Sequence, residues 1–314
     1  MVSDLTALVG TGVVPVVLLL VAGAALRRWA LRDEQLWSGL GWLVYWVFTP
    51  ALFVSVIGQT DLGAVPAASL ALSTAVPIVV VTGLVLGAGL VLRAPGPRLA
   101  SLVQGSIRLN TYVGLLLASA LHGAAGVAAF ALAGALVVPL VNVISVVALT
   151  RLGDQVAGVR PSLPREVVTN PFVLGCAAGL LVNAAGVPLP APVVASLDVL
   201  SAPALACGTL VAGAALRLRL RRSEVAAVLV VSGVKLVVLP LAAAWAATGL
   251  GVAGAALTGV VLACALPTAP SSYVLAARLG GDAPLTASLT AVQTVASVLT
   301  LPAVLSVAQL LATR

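Results

Sequence analysis

Long apolar windows follow one another along this chain, and the basic residues concentrate in every second loop between them. About ten windows are long enough to cross a bilayer as an α-helix, which needs ~20 apolar residues. Most of the 16 basic residues lie in short clusters between pairs of windows. Because cytoplasmic loops retain Lys and Arg, the pattern predicts an all-α polytopic membrane protein with ten transmembrane helices.

The basic clusters orient the predicted spans. The windows lie near 5–26, 36–57, 68–92, 99–121, 124–150, 166–186, 191–216, 224–247, 253–277 and 285–310. The clusters are Arg27, Arg28 and Arg32; Arg93 and Arg98; Arg151, Arg160 and Arg165; Arg217, Arg219, Arg221 and Arg222; and Arg278. With these loops in the cytoplasm, both termini lie outside it. The first window is too long for a cleaved signal peptide and has no basic leader, so we interpret it as a span.

The composition argues against several other classes of protein. Hydrophobic residues make up 61% of the chain and charged ones 8%, whereas soluble domains are about a quarter charged. The net charge of +7 comes mostly from the predicted cytoplasmic loops, so no nucleic-acid partner is expected.

Cys176, Cys207 and Cys264 lie in apolar windows without metal-ligand spacing, so we expect no metal or cofactor. One histidine, with no Ser or Cys beside it, argues against an intramembrane enzyme.

The windows divide into two groups of five around the polar stretch 151–165, and the groups resemble each other weakly. Residues 48–52 (FTPAL) resemble 201–205 (SAPAL), and Pro77 has a counterpart in Pro240. Since five is odd, the second group crosses the membrane in the opposite sense. A 5+5 inverted repeat is a transporter architecture, with its binding site near the midplane.

Spans four and nine hold equivalent places in the two halves and are irregular at mid-depth. In span nine, Pro267 and Pro270 deprive Ala263 and Leu266 of helical partners. Span four carries a central cluster of polar residues and glycine: Gln104, Gly105, Ser106, Arg108, Asn110, Thr111 and Tyr112. A charge at the bilayer centre costs ~2.5–3.5 kcal/mol. We therefore predict two interrupted helices that cross at the midplane, with half-helix N-termini that suit an anion.

Several motifs resemble the auxin efflux carrier family, in its bacterial branch, along essentially the whole chain. They are Thr-Pro-Ala-Leu (49–52), Arg-Leu-Asn-Thr-Tyr-Val-Gly (108–114), Asn170-Pro171, Ala-Leu-Pro-Thr-Ala-Pro-Ser-Ser-Tyr (265–273), Gly-Gly-Asp (280–282) and Gln293-Thr294. The resemblance implies a ten-helix fold shared with bile-acid and sodium–proton carriers. It implies scaffold helices at 1–60 and 166–216, which often dimerise, and a mobile transport domain at 61–151 and 217–314. Residues 152–165 would be the cytoplasmic linker.

The chain departs from the plant members of this family in span four. Plant members have a proline shortly after the asparagine, whereas residues 114–117 here are Gly-Leu-Leu-Leu. Span four is therefore either broken or merely bent. Arg108 also stands where plant members are usually apolar. Both differences argue against auxin itself as the substrate.

We predict a secondary transporter of small organic anions, carboxylates above all, that works by an elevator-type mechanism in the plasma (bacterial inner) membrane as a homodimer. Arg108 would pair the carboxylate through its planar guanidinium. The predicted binding residues are Arg108, Asn110, Thr111 and Tyr112 of span four and Pro267, Thr268, Pro270, Ser271 and Ser272 of span nine.

Further buried polar residues are candidates for coupling or gating. Asp198 and Lys235 are predicted at mid-depth in spans seven and eight, as a gating or proton-coupling pair, as a structural ion pair, or as groups paired elsewhere. Asn142, Gln293 and Thr294 would form interhelical hydrogen bonds or a sodium site. The alternative functions are a sodium-coupled organic-anion symporter of the bile-acid type and a passive scaffold or receptor.

Overall fold

The computed structural model describes residues 14–59, 67–154, 169, 171–186, 189–216 and 221–312, and its regular elements there are all helices. The helices are α1 (Val14–Ala25), α2 (Glu34–Gln59), α3 (Ala67–Val91), α4 (Gly96–Ile107), α5 (Thr111–Leu152), α6 (Pro171–Ala185), α7 (Ala191–Ala214), α8 (Arg222–Gly249), α9 (Gly254–Ala265), α10 (Ser271–Arg278) and α11 (Ala283–Ala312). Most of the predicted linker, part of the first window, and Asn170 lie outside the described residues.

Six helical segments of the described chain are long and apolar enough to cross a membrane. They are α2, α3, the run from α4 through α5, α7, α8 and α11. Helices α6 and α9 are apolar but shorter. The prediction of an all-α polytopic membrane protein is confirmed at this level, while the count of ten spans and the 5+5 repeat stay predictions.

Both predicted interruptions are present. Helix α4 ends at Ile107 and α5 begins at Thr111, because Arg108 adopts an extended backbone with φ −67° and ψ 155°. Helix α9 ends at Ala265, and the chain stays non-helical until α10 begins at Ser271. Span four is therefore broken and not merely bent, although it has no proline.

Gly123 divides α5 at the predicted turn between spans four and five. Its φ of 57° and ψ of −139° are non-helical and are readily adopted only by glycine. The residues on either side are helical, so the chain reverses with almost no loop.

The helices pack in two groups that meet along α5. Helix α1 packs on α7, and α2 packs on α6 and α7. Helices α3, α4, α8, α9 and α11 pack among one another, and α3, α4 and α9 also pack on α5. Helix α5 also touches α2, α6 and α7. The interrupted helices α4 and α9 therefore lie in the second group, and one of them continues into the helix that adjoins the first group.

Glycines allow the closest approaches within the first group. A Cβ on Gly213 of α7 would meet the carbonyl of Leu20 on α1, and a Cβ on Gly23 of α1 would meet the carbonyl of Leu210 on α7. These two helices therefore touch backbone to backbone, at a separation that any side chain would increase.

We predict that Gly213→Ala destabilises the protein by about 1–3 kcal/mol, because the added methyl group overpacks the α1–α7 contact. Gly83→Ala in α3 is the matched control, since a Cβ there meets nothing within 4 Å. The control should be neutral or more stable by up to ~1 kcal/mol, from helix propensity. Thermal unfolding in detergent, followed by Trp fluorescence, measures both variants, and equal stabilities would contradict the backbone contact.

Candidate functional site

The two interruptions contact each other directly. The backbone N–H of Asn110 donates to the carbonyl of Pro267 at 2.8 Å, so the break after α4 is hydrogen bonded to the break after α9. The hydroxyl of Thr268 donates to the carbonyl of Gly105 at 3.0 Å. The predicted meeting of spans four and nine is therefore present, and we call residues 105–111 and 264–271 together the crossover.

Gln293 of α11 connects both sides of the crossover. Its Nε2 donates to the carbonyl of Gly105 at 2.8 Å, and its Oε1 accepts from the backbone N–H of Thr268 at 2.9 Å. The side chain has no exposed surface. One amide thus satisfies an acceptor at the end of α4 and a donor in the break after α9, as its predicted role in interhelical hydrogen bonding requires.

Lys235 of α8 contacts the crossover from another side. Its Nζ donates to the carbonyl of Cys264 at 2.8 Å and lies 3.5 Å from the carbonyl of Ile107. In an uninterrupted helix Cys264 would accept from the N–H of Thr268, but that N–H donates to Gln293. The side chain of Lys235 is completely buried.

Asp198 and Lys235 do not pair with each other, so of the predicted alternatives the one in which each is paired elsewhere agrees with the structure. Asp198 is exposed on α7, and its Oδ1 accepts from the hydroxyl of Ser55 on α2 at 2.7 Å. Lys235 instead binds the carbonyls of Cys264 and Ile107. The prediction used depth along each helix, and depth does not tell which way a side chain points around the helix axis.

The other coupling candidates have different surroundings. Thr294 donates to the carbonyl of Thr290 in its own helix at 2.7 Å. Gln293 is engaged at the crossover. Asn142 is half-buried on α5, and its amide has no hydrogen-bond partner among the described residues. Of these three, only Asn142 keeps an amide available for a ligand.

The predicted binding residues separate into an accessible set and a buried set. Arg108, Thr111, Tyr112 and Pro270 are half-buried, and Ser271 is exposed. Asn110 is 3% exposed, and Pro267, Thr268 and Ser272 are buried. In this conformation the accessible set is available to a ligand, while Thr268 and Ser272 support the crossover from within.

Arg108 is the charged group on the accessible side of the crossover. Its guanidinium donates to the Oγ of Ser271, the first residue of α10, at 3.2 Å. A guanidinium carries five N–H donors, and the others have no hydrogen-bond partner among the described residues. Asn110 precedes the first turn of α5, and its side chain does not cap that helix. Hydrogen-bond donors from both interrupted helices therefore lie beside the positive charge of Arg108.

Helix α2 supplies residues opposite this surface that the sequence did not reveal as part of the site. Tyr45 lies near Arg108. The hydroxyl of Tyr112 lies close to Thr49, and its ring packs where a Cβ on Gly208 of α7 would lie. The spacing of Tyr45 and Thr49, four residues apart on one helical face, was the signal available for finding them.

The comparison with known families agrees with this geometry. Residues 155–305 match the family model described as membrane transport protein. Over residues 155–305 the chain is therefore similar to this membrane transport family, that of the auxin efflux carriers. The matched part includes Lys235, the second interruption and Gln293. The match indicates a membrane transporter, and together with the apolar helices it supports a multi-pass membrane protein, consistent with the expectation that the chain is not an enzyme. No curated protein matches it.

We predict that Gln293→Leu destabilises this transporter by about 1–3 kcal/mol, because the buried N–H of Thr268 is left without an acceptor. Thr294→Val is the control, since it removes only a hydroxyl that is bonded within α11. It should cost less than about 1 kcal/mol. The measurement is the shift in unfolding temperature of the purified variants. If Thr294→Val lowered stability as much as Gln293→Leu, the bridging role of Gln293 would be refuted.

Proposed function

We propose that the protein is a secondary transporter of small organic anions, and that it binds their carboxylate at the accessible side of the crossover. The observation that carries the proposal is the half-buried guanidinium of Arg108, held 3.2 Å from Ser271 between two interrupted helices. A charged group in a membrane domain is costly and marks a substrate or ion pathway. A carboxylate would take up the guanidinium donors that have no partner among the described residues.

The proposed binding mode uses groups of three kinds. The planar guanidinium of Arg108 accommodates both carboxylate oxygens through parallel N–H donors. The N-terminal ends of α5 and α10 add neutral donors and a partial positive charge. Tyr45 lies near both Arg108 and Tyr112, and the two rings would provide apolar surface for the remainder of the anion.

The helix groups support an elevator mechanism. In this proposal α1, α2, α6 and α7 form the scaffold, and the remaining helices form the transport domain. The full chain has ten spans in a 5+5 inverted repeat, with both termini outside the cytoplasm of a bacterial cell. A homodimer forms through the scaffold helices. Movement of the transport domain along α2 and α7 would carry Arg108 from one side of the plasma membrane to the other.

We predict that Arg108→Ala weakens binding of the best anionic ligand by about 10–100-fold, which corresponds to the loss of a charge-assisted hydrogen bond worth about 1.5–3 kcal/mol. The affinity of Arg108→Lys should lie between those of wild type and Arg108→Ala, because lysine keeps the positive charge but lacks the planar guanidinium. A thermal-shift screen of small carboxylic acids, auxins included, identifies the ligand through its stabilisation of the folded protein. Counterflow in proteoliposomes then measures transport.

Arg151→Ala is the matched control for charge, since Arg151 is exposed in the last turn of α5. Its ligand affinity should equal that of wild type. Unchanged affinity in Arg108→Ala would overturn the assigned role of Arg108, and failure of every carboxylate to support counterflow would overturn the proposed substrate class.

We predict that a cross-link between the helix groups stops transport. Cys176 of α6 lies with its Sγ 3.7 Å from the carbonyl of Ala131 on α5. In a background with Cys207 and Cys264 replaced by Ala, Ala131→Cys should form a disulfide with Cys176 on oxidation. Counterflow should fall with the cross-linked fraction and return on reduction. The background without Ala131→Cys is the control, and full transport by cross-linked protein would contradict relative movement of the groups.

A further inference from the structure

The ammonium group of Lys235 lies between the C-terminal ends of two interrupted helices. Cys264 is the penultimate residue of α9, and Ile107 is the last residue of α4. The Nζ atom is 2.8 Å from the carbonyl oxygen of Cys264 and 3.5 Å from that of Ile107. A single cation therefore contacts both ends.

Two helix ends of this kind repel each other unless a positive group lies between them. The last carbonyls of a helix have no intrahelical donor and carry about half a negative charge as a group. At the end of α9 the lack of N–H donors for these carbonyls is larger, because Pro267 has no N–H for Ala263 and the N–H of Thr268 donates to Gln293. In hydrocarbon, water does not solvate such carbonyls.

Among the described residues, no carboxylate pairs with Lys235. Ion pairs that are described elsewhere in the chain join Arg27 to Glu34 and Arg221 to Glu224. A completely buried ammonium requires compensation, and its hydrogen-bond partners are carbonyl oxygens at the two helix ends. The lysine and the helix ends are thus mutually dependent, in the way that an alkali cation and a cage of carbonyl oxygens are.

We propose that the position of the Lys235 ammonium is a cation site, filled by a side chain where a free cation would otherwise have to bind. Lys235 is then a positioning residue: its fixed charge holds the ends of α4 and α9 together, so that the crossover forms without a cation from solution. Removing the side chain should uncover an oxygen-lined site that accepts a small ammonium ion. This inference concerns the helix ends and stands whatever anion is transported.

The test uses Lys235→Ala, purified in detergent, and measures its unfolding temperature with ethylammonium chloride or with choline chloride at equal ionic strength. Lys235→Ala should unfold at least about 5 °C below wild type. Ethylammonium, which offers N–H donors and fits the vacated volume, should raise this temperature in a saturable manner. Choline has no N–H donor and should not. Wild type and Lys235→Met, whose side chain fills the space, should not respond to either salt.

A second pair of variants covers the case in which Lys235→Ala does not fold. Lys235→Arg keeps a fixed cation, and Lys235→Gln keeps a hydrogen-bond donor without charge. The Arg variant should be clearly more stable than the Gln variant. Equal stability of these two would overturn the proposal, and so would an ethylammonium effect that is absent from Lys235→Ala or equally large in wild type.

Discussion

Backbone groups that lie inside a membrane must be paired within the protein, and the crossover is where this chain has the most of them to pair. Each interruption frees carbonyls and N–H groups that a continuous helix would satisfy itself, at a cost of several kcal/mol for each group left unpaired in hydrocarbon. The crossover meets this requirement by contacts from three directions. The breaks bond to each other through Asn110 and Pro267, α11 contributes Gln293, and α8 contributes Lys235.

The sequence predicted the helices and their interruptions because both depend on local chemistry. Apolar length sets a membrane helix, and proline removes a helical donor wherever it stands, so the break after α9 follows from Pro267 and Pro270. The break after α4 was predicted from a cluster of polar residues, but its position was not. Gly105 remains inside α4, where a Cβ would meet the side chain of Leu289. It therefore serves packing, and the chain departs from the helix at Arg108.

The partners of buried polar side chains could not be predicted in the same way. Depth along a helix follows from counting residues, which placed Lys235 correctly inside the protein but could not tell whether it pairs with Asp198 or with another group. Its direction around the helix depends on which helix packs on that face, and this is decided by contacts between residues far apart in sequence. The same limit hid the role of Tyr45, because an aromatic residue in a membrane helix packs equally well against lipid, protein or ligand.

The side chains that stabilise the crossover belong to helices of the same packing group as α4 and α9. Gln293 and Lys235 lie on α11 and α8, in the same group as α4 and α9. Asp198 and Ser55 pair within the other group. The contacts described between the groups are packing contacts, such as that of the Tyr112 ring with Gly208 of α7. A displacement of one group against the other therefore exchanges packing contacts and leaves the buried hydrogen bonds of the crossover intact. In the proposed transport cycle, the buried hydrogen bonds of the crossover form when the protein folds. They stay unchanged each time the transport domain moves.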